Sequence, residues 1–278
     1  MSWLQTIILA FVEGLTEIFP VSGDAHTLIF LKLLGVSLTA AQICCVRAWM
    51  HFGVFLALCL YYRRELRAML EEFLVLLGII RPVSRRRGIP LDRRQLMLYL
   101  FAALPVIAGA LIYPLRRRIE QGRFALAISG LLLGLFGLIL YFAFRGASPR
   151  REDDDLTLGD TLSAGASQII SVLPGVSRSG AVTAVAVSRG VTFPGAVRMA
   201  GIMGVPVFLA AGIVDLIAAK GAAVNAAVCI LAFCVTALTA MFALRLLRGI
   251  ARRGSMSLFV YWCWGAGIFS LALFLISA

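Results

Sequence analysis

Residues 12–30 read VEGLTEIFPVSGDAHTLIF. The flanks are apolar, yet the middle holds Glu13, Glu17, Asp24 and His26 around Pro20 and Gly23. Glu13 and Glu17 stand four apart, so a helix presents both carboxylates on one face. Arg47 and His51 repeat that spacing further along. A second polar stretch, SVLPGVSRSGAVT at 171–183, places Ser177, Arg178, Ser179 and Thr183 just after Pro174 and Gly175. An arginine fork, several hydroxyls and the N–H groups of a helix start make a phosphate receptor. Two carboxylates beside it could hold a hard cation through oxygen, with positions left for phosphate oxygens. A histidine or serine near a carboxylate base is a nucleophile constellation. Pooled, these groups point to metal-assisted hydrolysis of a phosphate ester or anhydride on a substrate that enters from the membrane.

Plainer roles compete for most of these residues. Glu13 and Glu17 could be ion-pair partners of Arg47 or Arg178. His26 could be a cap or a lone buried imidazole, and His51 a structural or supporting group. Asp24 could be the N-cap of a returning helix, and Ser177 and Ser179 caps of the next one. Glu152 and Asp153–Asp155 read as a solvated loop. Arg178 is hardest to explain structurally, because a charge inside an apolar segment costs a few kcal/mol.

The elements that must position these groups are membrane helices. The 278 residues are 61% hydrophobic and only 14% charged, with a mean hydropathy of +0.95. One soluble core of this size cannot hide that surplus. A span needs about 20 apolar residues, and segments near 44–62, 96–115, 124–144, 195–219, 222–244 and 256–277 supply them. Two further stretches, 3–35 and 159–190, break at PVSGD and PGVSRSG. Each half is too short to span, and Pro with Gly ends helix continuity. Both therefore read as re-entrant helical hairpins, whose irregular backbone must be covered by protein or a water-filled cavity. The expected fold is an all-α polytopic membrane protein: one membrane domain of six transmembrane helices plus two hairpins. An odd number of spans follows each hairpin, so the repeats, about 1–144 and 159–278, are inverted.

The +12 net charge lies between the spans rather than on a nucleic-acid face, so no nucleic-acid partner is expected. Arg63, Arg64, Arg67, Arg81, Arg85–Arg87, Arg93 and Arg94 crowd one loop, and the ends of later spans add to that side. Arg116–Arg118, Arg123 and Lys220 lie on the other. The positive-inside rule makes the first side cytoplasmic and sends both termini outward. Segment 68–80 is too short to span and reads as interfacial. No basic flank or small-residue cleavage site precedes the glutamates, so no cleavable signal is expected. The six cysteines lie in apolar runs, without C-x-x-C or histidine spacing, and read as small buried hydrophobes.

EGLTE at 13–17, PVS…H at 20–26 and PGVSRSGAVT at 174–183, in this order and spacing, resemble the signatures of undecaprenyl-pyrophosphate phosphatases of the bacitracin-resistance type. The resemblance runs through nearly the whole chain, including MGVPVFLAAGIVDL at 203–216. It implies an inner-membrane enzyme that hydrolyses undecaprenyl diphosphate and recycles the lipid carrier for cell-wall synthesis, using Mg²⁺ or Ca²⁺. It implies Glu13 and Glu17 as metal or base carboxylates, with Ser22 and His26 beside the scissile phosphate. Arg178 would clamp the diphosphate, with Gly175, Ser177, Ser179 and Thr183 around it. The substrate side would open outward, and a homodimer is one assembly open to such a protein. One departure stands out. The family's SSSGH or SSTGH reads SGDAH here, so Gly23 and Asp24 replace hydroxyl residues. That leaves His26, water or a shifted Ser22 as the attacking group. A non-enzymatic polyprenyl-phosphate transporter or flippase is the competing reading, since paired broken helices also suit transporters. The type 2 phosphatidic-acid phosphatases need a histidine after the later arginine, and neither His26 nor His51 follows Arg178.

Overall fold

The computed structural model describes residues 1–81, 98, 99, 109, 111–147, 150–152 and 155–277. Helix α1 (Trp3–Thr16) starts with a capping box in which Ser2 and Gln5 satisfy each other's backbone N–H. It stops at a turn through 17–21, and α2 (Gly23–Leu33) runs on from there. Gln5 Nε2 donates to Leu34 O at 3.0 Å, tying the outer ends of this pair together. Helix α3 (Ala40–Tyr61) opens on a second capping box, Thr39 with Gln42. Helix α4 (Arg63–Leu76) follows and buries no residue, with Leu70 and Phe73 exposed opposite its charges. Most of the segment 68–80, expected to be too short to span, lies in this 14-residue helix. Residues 111–121 are helical and lead to α5 (Ala125–Arg145).

The second half repeats the pattern. Helix α6 (Leu158–Ile170) is capped by Thr157 and Asp160, breaks at 171–177, and α7 (Arg178–Ser188) resumes with Ser177 as its N-cap. Helix α8 (Phe193–Ala218), α9 (Ala226–Arg252) and α10 (Ser257–Ser277) complete the chain. Asp160 also accepts from Arg151 and Arg189, which closes the open end of the α6–α7 pair. Among the described residues the regular secondary structure is helical, apart from an isolated bridge between Arg151 and Val191.

Among the described residues five helices, α3, α5, α8, α9 and α10, are long and apolar enough to cross a membrane. They agree with the expected spans within a few residues, except that α9 runs to Arg252, eight past the expected 244. Its polar end, LRLLRGIAR, hides the helix from a reading by apolar run alone. The sixth expected span, 96–115, falls for the most part outside the described residues.

The main packings are α5 on α10, α3 on both α8 and α9, and α1 on α9. Leu133, Phe136 and Leu140 of α5, Leu58 of α3, Val182 of α7 and Met199 of α8 meet in one core cluster. Large apolar side chains such as Phe142, Leu238, Ile268 and Ile276 stay exposed. In a bilayer that outer surface is correctly solvated, and close helix contact falls to small residues. At Gly53 a Cβ would lie 2.6 Å from Phe233 O of α9, so only glycine lets these helices touch. Gly53→Val should force α3 and α9 apart at a cost of about 1–3 kcal/mol. Thermal unfolding in detergent should show a lower midpoint, and an unchanged one would mean the helices are not so close.

Candidate functional site

Two chain breaks meet inside the bundle and complete each other's hydrogen bonds. In the first, Ser22 adopts a left-handed backbone with φ of 63°, the sole non-glycine positive φ among the described residues. Such a conformation is strained for a residue with a Cβ and persists only when its surroundings hold it. What holds it lies in the second break: the Gly175 N–H donates to Ser22 Oγ at 3.1 Å. Gly175 has φ of 110°, and a Cβ there would meet the Ser129 carbonyl oxygen at 2.5 Å. In return, the hydroxyls of Ser177 and Ser179 donate to Phe19 O, at 3.2 and 2.9 Å.

Arg178 begins α7 and is buried. Its Nη1 donates to Ala200 O at 2.9 Å, and its guanidinium lies 4.7 Å from the centre of the Phe208 ring. Gly204 leaves room for it: a Cβ there would fall 2.7 Å from Nη2. Its Nε has no partner, and among the described residues it has no ion pair. A small cavity beside it is walled by Ser179 and Thr183 and by apolar Ile18, Pro20, Ala200 and Leu244. A buried guanidinium with spare donors facing a cavity is what an anion needs.

The carboxylates gather on the other flank of the first break. Glu13 is fully buried, and the Thr27 hydroxyl donates to its Oε2 at 2.5 Å. Its Oε1 has no partner and lies 3.7 Å from His51 Nε2. Glu17, partly exposed just past α1, joins them: ligand atoms of Glu13, Glu17 and His51 all lie within 4.8 Å of one another. Two carboxylates and an imidazole around a buried orphan oxygen fit a divalent cation, which would relieve that crowding of acceptors. His51, weighed above as structural, thus faces the carboxylates directly.

The remaining expected residues sit differently. His26 takes the indole N–H of Trp262 on Nε2 at 2.9 Å, and its Nδ1 lies 2.7 Å from Ser22 O. An indole only donates, so Nε2 is the acceptor and Nδ1 carries the proton. Both ring nitrogens are engaged. Asp24 is not the N-cap of α2, because the helix already begins at Gly23. Its carboxylate accepts from Arg116 at 2.6 Å and lies 3.8 Å from Arg47. Thr183 donates to Ser179 O.

Sequence reasoning missed a buried ion network behind the carboxylates. Arg47 donates to both oxygens of Asp215, at 2.9 and 2.8 Å, and to Glu120 at 2.9 Å. Arg116, read above as a loop charge, is buried and also bonds Glu120 at 2.8 Å. Asp215 had a signal: a lone carboxylate inside an apolar span needs a partner. Arg116 and Glu120 had none, since a charged run beside a span looks like a loop.

A family model described as "Bacitracin resistance protein BacA" matches residues 6–269. Among curated relatives, an undecaprenyl-diphosphatase of Methanobrevibacter smithii is 28% identical over 275 residues, 96% of each chain. That of Jannaschia sp. is 30% identical over 260 residues, covering 90% of this chain and 92% of the relative. That of Anaeromyxobacter dehalogenans is 35% identical over 213 residues, covering 76% and 70%.

Gly23 is where this chain's break departs from SSSGH, and the geometry gives it a reason. A Cβ at Gly23 would collide with the Glu17 carboxylate, with Cδ at 2.6 Å and Cγ at 2.7 Å. Gly23→Ser should therefore turn Glu17 away from Glu13 and His51. Divalent-cation affinity, read by Mn²⁺ titration with electron paramagnetic resonance, should fall about tenfold or more, the scale of losing a ligand's support. Unchanged affinity would show that Glu17 does not need that space.

Proposed function

The chain belongs to the bacitracin resistance protein BacA family, and we propose that it hydrolyses undecaprenyl diphosphate to undecaprenyl phosphate and inorganic phosphate. The product returns a lipid carrier to cell-wall synthesis. The observation that carries this reading is Arg178: a buried guanidinium with an unpartnered Nε, in the same interior as a cluster of Glu13, Glu17 and His51 that could hold a cation. A buried cation kept free of carboxylates is costly unless an anion comes to it.

In this reading Arg178 binds the diphosphate, with the start of α7 adding N–H groups at its positive end. Ser179 and Thr183 line the same cavity, and Gly175, Ser177 and Ser22 hold the two breaks in register. Glu13, Glu17 and His51 would hold Mg²⁺ or Ca²⁺, which supplies charge stabilisation at the phosphate oxygens. Among the described residues no hydrogen bond reaches the Glu17 carboxylate, so an oxygen that the cation does not take can accept a proton from the attacking water. The water oxygen bonds to the terminal phosphorus as the bridging P–O bond breaks, so the lipid monophosphate is the leaving group and keeps the bridging oxygen, and the terminal group is released as inorganic phosphate. Direct attack suits this chain because Gly23 offers no hydroxyl and His26 has Nε2 closed by Trp262. His26 then keeps Ser22 and the break in place.

The two inverted repeats, the re-entrant course of both hairpins and the six spans belong to the same proposal. In its support, α3 packs on α8 and α5 on α10, pairs that hold the same rank in the two halves. The arginine-rich loop sets an inner-membrane orientation with an outward approach to the site.

Purified protein with a prenyl diphosphate and Mg²⁺ should release phosphate, and Arg178→Ala should cut turnover about 10²–10³-fold, as for lost transition-state donors. Chelation should abolish release, and Mg²⁺ or Ca²⁺ should restore it. Lipid translocation in proteoliposomes without phosphate release would replace the enzyme with a transporter. After a rapid acid-free quench with ³²P substrate, the protein should carry no label; labelled His26 would overturn direct attack by water.

A further inference from the structure

We propose that Asp215 is a positioning residue for the reaction, fixing the proton of His51 on Nδ1 so that the Nε2 lone pair faces the glutamates. The inference rests on the reading that Glu13, Glu17 and His51 face the substrate's cation.

Asp215 lies in the last turn of α8 and is 2% exposed. Its Oδ2 is 3.1 Å from His51 Nδ1. Its other contacts fix it firmly: Arg47 donates to both oxygens, and Tyr113 O–H donates to Oδ1 at 3.1 Å. Arg47 balances the carboxylate's charge, so Asp215 stays an ionised acceptor at little cost inside an apolar span. The other groups around His51 are Glu13 of α1 on the Nε2 side, Glu17 within the same cluster, and the Phe208 ring of α8, centroid to centroid 5.7 Å.

Consider the two neutral tautomers. With the proton on Nε2, a lone pair on Nδ1 would face the Asp215 carboxylate, two acceptors 3.1 Å apart. With the proton on Nδ1, a donor faces that carboxylate and the lone pair of Nε2 points toward Glu13 Oε1. The Nδ1–Oδ2 contact is within range but off the line of the ring N–H. Such contacts tighten once the site is loaded. Glu13 Oε1 and His51 Nε2 then remain two acceptors 3.7 Å apart, a repulsion that a cation between them removes. A carboxylate that orients a histidine through its far nitrogen supports metal affinity by about tenfold to a hundredfold. Asp215 would act so here, from a helix remote in sequence from the glutamates.

The chain has two histidines, so imidazole ¹⁵N spectra can be assigned with one variant, His26→Gln. At pH 8 with Mg²⁺, the wild-type His51 should show a protonated Nδ1 and an unprotonated Nε2. Asp215→Asn should mix or invert the tautomers and lower Mn²⁺ affinity about tenfold to a hundredfold, and Asp215→Glu should recover part of both. Glu120→Gln removes a charge from the same network without touching His51 and should leave the tautomer unchanged. A wild-type His51 protonated at Nε2, or at both nitrogens, overturns the proposal even if no Asp215 variant folds. So does a tautomer indifferent to Asp215→Asn. The spectra do not depend on turnover: loss of the tautomer with normal phosphate release sinks only the positioning role, and the reverse sinks only the phosphatase.

Discussion

Broken backbone inside a bilayer is tolerable only if its polar groups find partners, and here the two breaks are each other's partners. The Gly175 N–H meets Ser22 Oγ, and the Ser177 and Ser179 hydroxyls meet Phe19 O. An unsatisfied buried amide or carbonyl costs a few kcal/mol, so each break depends on the other for its partners. The rest of the arrangement follows. Joining the breaks brings the first break, flanked by Glu17, against the start of α7, where Arg178 projects. It also fixes Ser22 in a left-handed backbone that a serine would not adopt unaided.

Electrostatics divides the interior into two zones. In one, charges are paired: Arg47 and Arg116 are each bound by carboxylates from other elements. In the other, Arg178 Nε and Glu13 Oε1 are buried without a hydrogen-bond partner among the described residues, and Glu17 stands beside them. The paired zone ties α2, α3, the 111–121 segment and α8 together and holds His51 between Asp215 and Glu13. The unpaired zone holds the groups that a diphosphate and its cation would complete. Its instability without them is the expected companion of function.

The SGDAH segment makes sense once both zones are seen. Glu17 folds back over residue 23, which only a glycine permits. Asp24 turns the other way, to Arg116 in the paired zone. The two departures from the family's hydroxyl pattern therefore act separately, one on the shape of the carboxylate cluster and the other on its electrostatic frame. Trp262 of α10 completes the frame by closing the free nitrogen of His26.

Local sequence was enough for much of this. The apolar runs with their Ser, Thr and Asn caps determine the helices, and Pro20, Pro174 and the adjacent glycines determine where the two short pairs break. The i,i+4 spacing of Glu13 with Glu17, and of Arg47 with His51, sets which side chains share a face. Membership of the family was legible from EGLTE and PGVSRSG. What only the tertiary structure decided is who faces whom. Arg47 turns to Asp215 and Glu120 rather than to the glutamates, His51 turns toward Glu13, and His26 is shut by Trp262. Helical periodicity gives the direction of a side chain around its own axis, whereas these pairings depend on how helices far apart in sequence pack. In an apolar medium every buried charge is driven to whichever partner that packing brings within reach.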